Sequence, residues 1–172
     1  GQWLYLRYLG QQLKLSRTSG KVLFADREEM PEFDTVITVY NMFYYAKEHP
    51  AASGELVPFR LVKRVYPFER AYQKQILEPF ARLFSGHVKE LRAACEKLGG
   101  TKLPQGDAVY PYFDMAVLFW DRDDEFEAQG NMLFDSNITD FVHEENVVCI
   151  AADAVRYLSR AAGLEEMKIY AG

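Results

Sequence analysis

Apolar and polar residues alternate along the first part of the chain, residues 3–27. A period of two is typical of β-strands with one buried face. Gly10 separates the first two alternating stretches, and residues 17–20, which end in Gly20, have the composition of a hairpin turn. The pattern predicts a small antiparallel sheet at the start of the chain.

The apolar spacing then changes to that of helices. A first helix is predicted for residues 34–48 with Asp34 as its N-cap, and residues 49–58 have loop composition. An amphipathic stripe begins after Pro67 and contains Pro79, where we expect the helix to kink or restart. A second stripe over residues 88–98 ends at two glycines, a strong helix stop.

The last third of the chain predicts strands followed by a long helix. Residues 109–113 contain Pro111, which favours an edge strand, whereas residues 115–120 are a continuous apolar run typical of a strand buried on both faces. Residues 131–134 are a short third candidate. The final helix is predicted for residues 144–162, before Gly163. The predicted fold class is therefore α+β: antiparallel strands, a central helical block and a C-terminal packing helix.

Composition is that of an ordinary globular protein. The 172 residues are 49% hydrophobic and 26% charged, and we expect a single domain over residues 1–172. No apolar run is long enough to span a bilayer and no signal peptide is recognisable, so we expect a cytoplasmic protein without a membrane. The two cysteines, Cys95 and Cys149, lie in helical patterns and are expected to be buried free thiols.

Charge is unevenly distributed around a net value of −5. Residues 60–102 contain ten Lys or Arg against four Glu, and residues 121–145 contain nine Asp or Glu against Arg122. We expect these two regions to face each other or the solvent. An acidic chain is a poor candidate for binding nucleic acid, which favours overall basic domains.

The acidic segment that follows Trp120 suggests a calcium loop, because acidic residues fall at alternate positions. An EF-hand needs Gly at its sixth position and Glu at its twelfth, but these are Phe126 and Met132 when counted from Asp121. A metal would need an irregular site, and the alternative is a solvated acidic loop. The candidate polar site residues are Asp107, Asp121, Asp124, Glu125, Asp135 and His143.

Other motifs for catalysis are missing from the sequence. There is no Gly-x-Ser-x-Gly elbow, Walker A loop or dinucleotide fingerprint, and no cofactor is evident. His143 and the two glutamates after it do not point the same way on a helix, so a helix cap is the better interpretation of them. Aromatic residues are candidates either for core packing or for a pocket that takes a flat apolar ligand such as a tetrapyrrole. These are Tyr40, Tyr44, Trp120 and Phe126.

An ordered set of short motifs resembles the domain of unknown function family 3786. The motifs are Tyr8-Leu9-Gly10, residues 54–60, Leu98-Gly99-Gly100, Gly106-Asp107, residues 120–126, residues 132–135 and residues 140–145. The resemblance implies common occurrence in anaerobic bacteria and archaea, and some members carry an iron-sulfur cluster domain on the same chain. The chain departs from the family at the cap formed by residues 143–145 and at Leu56, where members tend to have Trp. A ligand site that used that ring would be in doubt.

Two functional hypotheses follow. The first is a non-catalytic binding or accessory module that partners an iron-sulfur or corrinoid protein of anaerobic metabolism, as the resemblance implies. The second is a carboxylate-based, metal-dependent enzyme that uses Asp121, Asp124, Asp135 and His143.

Overall fold

The computed structural model describes residues 1–103, 106–110 and 115–164, and its first element is the predicted antiparallel sheet. Strand β1 (Trp3–Tyr8) pairs with β2 (Gln11–Ser16), which pairs with β3 (Val22–Phe24). Gly10, in the turn between β1 and β2, has a φ of 77°. A Cβ there would lie 2.5 Å from the carbonyl oxygen of Leu98, so only glycine fits where this turn contacts the next layer.

The first helix, α1 (Phe33–Tyr45), begins one residue before its predicted start. The prediction that Asp34 is the N-cap is wrong. Asp34 lies in the first turn, and its carboxylate accepts a hydrogen bond from Arg156 at 3.0 Å instead of capping the helix. The helix ends earlier than predicted because Ala46 leaves the helical conformation, with a ψ of 131°. The N–H of Lys47 then donates to the carbonyl of Asp140.

The central helical block contains a π-helical turn. Helix α2 (Glu69–Tyr72) continues through this turn (Gln73–Leu77) into α3 (Glu78–Phe84). Pro79 lies two residues beyond this turn, and the backbone stays helical from Leu77 to Glu78. The irregularity predicted at this proline is therefore a π-helical turn and not a restart of the helix. Helix α4 (Val88–Lys97) follows and ends, as predicted, before Gly99, which has a φ of 86°.

A second, five-stranded antiparallel sheet occupies the rest of the fold. Its strands are β4 (Leu56–Pro58), β5 (Thr101–Leu103), β6 (Gly106–Tyr110), β7 (Met115–Trp120) and β8 (Gln129–Asp135), in the order β4-β8-β7-β6-β5. Strands β7 and β8 were predicted, whereas β4 and β5 were not. Pro111 and the rest of the predicted strand beyond Tyr110 lie outside the described residues. Burial of β7 on both faces holds only for its first half, because Trp120 is 56% exposed.

Helix α5 (Asn146–Ala162) lies at the centre of the core, where it packs against both α1 and α4. It matches the predicted final helix, and Gly163 ends it in the left-handed conformation with a φ of 71°. On the other side of the core, Phe80 and Phe84 of α3 are fully buried with Phe134 of β8. No helix within the described ranges is long and apolar enough to cross a membrane.

Candidate functional site

A groove of about 990 Å³ lies between the α2–α3 helical segment and the adjoining ends of β4 and β8. Its helical wall includes Gln73 and Leu77 of the π-helical turn. The opposite wall includes Pro58 at the end of β4 and the residues from Gln129 to Asn131 of β8. π-Helical turns are rare and often occur at functional sites. The groove beside this turn is therefore a candidate functional site.

Aromatic stacking holds the Pro58 end of the groove in place. The ring of Phe59 stacks on that of Tyr72 with a centroid distance of 4.1 Å and an angle of 13°, and both rings meet Phe134 edge-on. Tyr72 is 2% exposed, and burial raises its pKa well above the ordinary value. Its hydroxyl oxygen lies beside the N–H of Met132, and no acceptor for its own proton lies within the described part of the chain. Tyr72 is therefore a buried groove residue with an unused hydrogen-bond donor.

The edge of β8 is only partly covered. Strand β4 pairs with β8 over Leu133 to Asp135 alone, and no described strand continues this pairing along Gln129 to Met132. The N–H of Ser136 donates to Glu55 at 2.9 Å, which shows that its main chain faces β4. Since this orientation repeats at every second residue, the main-chain groups of Met132 and Gly130 face the same side. Met132 is 0% exposed, with the Tyr72 hydroxyl beside its N–H, so that of these two residues Gly130 lines the groove and Met132 does not.

Charged side chains of both signs surround the groove. Arg60, Arg82 and Arg122 line it and are exposed, and none of them forms an ion pair in the portion of the chain described. Glu78 is paired with Lys74 at 2.7 Å. Glu69 and Glu127 also line the groove, so it offers both guanidinium and carboxylate groups to a partner.

The acidic loop after β7 is ordered by its own carboxylates. Asp121 accepts hydrogen bonds from the N–H groups of Gly86 and Arg122, both at 2.8 Å, and these bonds lower its pKa. Asp123 accepts N–H groups from Glu125 and Phe126 in the same way. Asp124 and Glu125 have exposed side chains. The loop resembles the solvated alternative more than a cation cage.

Asp135, by contrast, is 1% exposed and holds a loop in place. It accepts the N–H groups of Ser53, Gly54 and Asn137 at 3.0, 2.9 and 2.8 Å. Burial alone would raise the pKa of this carboxyl, but the three backbone donors together lower it. Its acceptor positions are therefore occupied by the protein's own backbone.

The structure does not bring the candidate polar residues together. Trp120 pairs with Gln129 and Met115 with Phe134, so Asp121 and Asp135 lie at opposite ends of the β7–β8 ladder. That ladder spans about 17 Å at the usual strand rise. Asp107 lies in β6, and its side chain is outside the described part.

His143 lies just before α5. Its Nδ1 accepts the N–H of Glu145 at 3.3 Å and its ring lies 5.1 Å from that of Tyr45. The N-cap residue of α5 is Glu145, and no side-chain hydrogen bond caps the helix, so the helix-cap interpretation holds for the position of these residues and not for their side chains. Among the described residues, no group of three or more His, Cys, Asp or Glu side chains could hold a metal ion.

The candidate pocket aromatics are exposed and lie elsewhere. Tyr44 is 80% exposed, Phe126 64% and Trp120 56%, and none of these lines the groove. Tyr40 donates its hydroxyl proton to the carbonyl of Gly20 at 2.8 Å and also lies outside the groove. They form neither the core nor the pocket that sequence reasoning considered for them.

Sequence reasoning missed a buried polar network between α1, α5 and β1. The fully buried Asp153 accepts hydrogen bonds from Tyr8 and Thr35, each at 2.9 Å, and from Arg156 at 2.6 Å. Burial raises the pKa of Asp153 to about 7 although Arg156 lies beside it. The signal in the sequence was a single carboxylate within the apolar stretch from Val147 to Val155.

Cys149 lies beside this network on α5. Burial, with the carboxylates of Asp34 and Asp153 nearby, raises the pKa of its thiol to about 12. A thiol that stays protonated at neutral pH is a poor nucleophile. We therefore interpret the network as a structural link between the helices.

Comparison with known proteins identifies the family of this chain. Neither a search of curated proteins nor a search of solved structures found a match. The family model described as a domain of unknown function (DUF3786) matches residues 1–157, most of the chain. The chain therefore belongs to the DUF3786 family.

Proposed function

We propose that this chain is a non-catalytic binding module and that the groove between α2–α3 and β8 is its binding surface. The observation that carries the proposal is the groove itself, a cavity of about 990 Å³ beside a partly uncovered strand edge. Ligand and partner sites are typically concave surfaces of this scale with a few convergent polar groups.

The polar residues of the groove suit recognition. Arg60, Arg82 and Arg122 supply guanidinium groups, the side chain that interfaces favour among charged residues. The competing hypothesis, a carboxylate-based metal enzyme, requires Asp121, Asp124, Asp135 and His143 to share one site. The separation of Asp121 from Asp135 and the backbone bonds that occupy Asp135 give that hypothesis no support.

The partner class comes from the family. Some members carry an iron-sulfur cluster domain on the same chain, and we propose an iron-sulfur or corrinoid protein as the partner. We also place the interaction in the cytoplasm, where the two free thiols, Cys95 and Cys149, would stay reduced.

Photo-crosslinking from a matched pair of positions tests the proposal. Gln73 and Gln75 are both exposed glutamines of the π-helical turn, but only Gln73 lines the groove. A photoreactive phenylalanine analogue placed at each position in the host cell should capture a partner from position 73 and not from position 75. Mass spectrometry of the product then identifies that partner.

The outcomes are distinct. An iron-sulfur or corrinoid protein crosslinked from position 73 alone supports the whole proposal, and another protein so captured supports the groove but contradicts the partner class. Equal capture from both positions, or none from position 73, would contradict a role for the groove in binding.

A further inference from the structure

Strand β1 is a long edge strand with no described neighbour on one of its sides. It pairs with β2 over its whole length of six residues without a bulge, and no strand in the described ranges pairs with its other side. The other described edge strands, β3, β4 and β5, are three residues long. Proteins usually keep edge strands short, bulged or charged, because an open edge pairs readily with another chain. Only Arg7 is charged among the residues of β1.

The hydrogen bonds of β2 show which main-chain groups of β1 face the unpaired side. The N–H of Arg17 donates to the carbonyl of Gln2 at 3.0 Å, so the main chain of Gln2 faces β2. Because this orientation repeats at every second residue, the main-chain groups of Trp3, Tyr5 and Arg7 face away from β2. Within the described part of the chain, these three residues have no main-chain partner on that side.

The edge formed by β3 is covered by its own chain, whereas the described residues leave that of β1 uncovered. The N–H of Phe24, which faces away from β2, donates to the carbonyl of Glu29 at 2.9 Å. Side-chain burial shows the same difference. Leu4 and Leu6 of β1 face the core but are only partly buried, while Leu13, which lies opposite Leu6 on β2, is fully buried.

We propose that β1 pairs with β1 of a second copy of this chain, antiparallel and centred on Tyr5. The two three-stranded sheets then join into one continuous sheet. In this register Tyr5 lies opposite Tyr5 of the other copy, and Trp3 lies opposite Arg7. On the core side of the sheet, Leu4 lies opposite Leu6, so that their partly exposed side chains cover one another. The strand is therefore complementary to itself on both of its faces.

Charge also favours a second copy as the occupant of this edge. The pairing places no like charges opposite each other, since the single charged residue of each strand faces an aromatic residue. The guanidinium group of Arg7 lies beside Gly99 and forms no ion pair with the described residues. It is therefore available for a cation–π contact with the ring of Trp3 of the other copy.

Light scattering after size-exclusion chromatography of the intact protein measures this self-association, with two matched lysine variants. Tyr5 is 71% exposed and Tyr44 on α1 is 80% exposed, so neither substitution removes a buried side chain. Tyr5→Lys places two like charges opposite each other at the centre of the strand pair, and it should raise the dissociation constant of the dimer about tenfold. Tyr44→Lys should leave the dimer unchanged.

Single cysteine substitutions test the register. Directly opposite residues of an antiparallel pair have Cα atoms about 5.5 Å apart, within the range that a disulfide spans. Under mild oxidation Tyr5→Cys should therefore cross-link two copies. Arg7→Cys should not, because its two copies would lie about 14 Å apart, but it should cross-link to Trp3→Cys in an equal mixture. The wild type, with Cys95 and Cys149, is the control.

The outcomes separate this pairing from its alternatives. A dimer that Tyr5→Lys weakens and Tyr5→Cys cross-links supports the proposal. A wild type that stays monomeric at the highest concentrations reached would overturn it, as would a dimer weakened by Tyr44→Lys and not by Tyr5→Lys, which would assign self-association to α1. Cross-linking of Arg7→Cys to itself would exclude the pairing centred on Tyr5. Because β1 does not line the groove, the proposed function does not depend on these results.

Discussion

Single carboxylates in this protein differ according to the donors that surround them. Asp135 accepts three backbone N–H groups, which lower its pKa, and it fixes the loop that precedes β4. Asp153 lies deep between α1 and α5, where burial raises its pKa to about 7. Both are buried, so burial alone does not determine the direction of the shift.

Asp153 should lower the free energy of unfolding as the pH rises, the opposite of what a carboxyl with a lowered pKa does. An unfolded Asp has a pKa of about 3.9, so between about pH 4 and 7 the folded protein binds the proton more tightly. The stability from Asp153 is therefore present at low pH and is lost as the pH rises through 7. Relative to Asp153→Asn, which does not titrate, the wild type should lose up to about 1.4 kcal/mol of unfolding free energy per pH unit in this window.

Urea denaturation of both proteins from pH 4 to pH 7 measures this difference. The comparison cancels the other carboxylates, such as Asp121 and Asp135, whose lowered pKa values act in the opposite direction. A difference between the two proteins that stays constant, or that grows with pH, would show that Asp153 is ionised throughout and held by Arg156.

At the scale of elements, the packing of α3 on β8 depends on Gly130. Gly130→Ala would bring its methyl carbon to 2.4 Å from a ring carbon of Phe80, which is too close for either group to stay in place. Overpacking of this kind costs typically about 1 to 3 kcal/mol of unfolding free energy, measurable by denaturation. Because Gly130 has no positive φ, the cost is steric.

A double-mutant cycle with Phe80→Leu checks that cause. The smaller side chain should relieve the clash, so the double variant should be less destabilised than the sum of the two single variants. Additive effects would place the strain of Gly130→Ala somewhere other than the Phe80 ring.

The sequence predicted those elements that have a recognisable apolar spacing of their own or that end at a glycine. Helix α5, the α4 stop at Gly99 and strand β7 were recognisable because apolar spacing and glycine position are local properties. Strand β4 was not, because three residues ending in Pro58 become a strand only through pairing with β8. The π-helical turn was equally hidden, since the apolar spacing of this segment is that of an ordinary amphipathic helix.

The candidate site was less predictable than the fold. Asp121 and Asp135 are close in sequence, but the antiparallel pairing of β7 with β8 places them at opposite ends of the sheet. The groove combines residues from Pro58 to Asn131 that share no motif. A surface of this kind forms only when distant elements pack, and patterns within one segment do not reveal it.

At the scale of the whole molecule, two surfaces compete as the place where a partner binds. One is the groove between α2–α3 and β8, and the other is the exposed aromatic surface of α1, which includes Phe33 at 76% and Tyr44 at 80% exposure. Large exposed apolar side chains often mark interaction sites. We assign the contact to the groove, because there a cavity of about 990 Å³ is combined with charged side chains of both signs.

Amide-resolved hydrogen exchange with the partner captured from position 73 tests this assignment most directly. Gly130 lines the groove, whereas the amides of α1 lie outside it. We predict that the bound partner slows exchange at Gly130 and leaves the amides of α1 unchanged. Slowed exchange confined to α1, with Gly130 unaffected, would contradict the account.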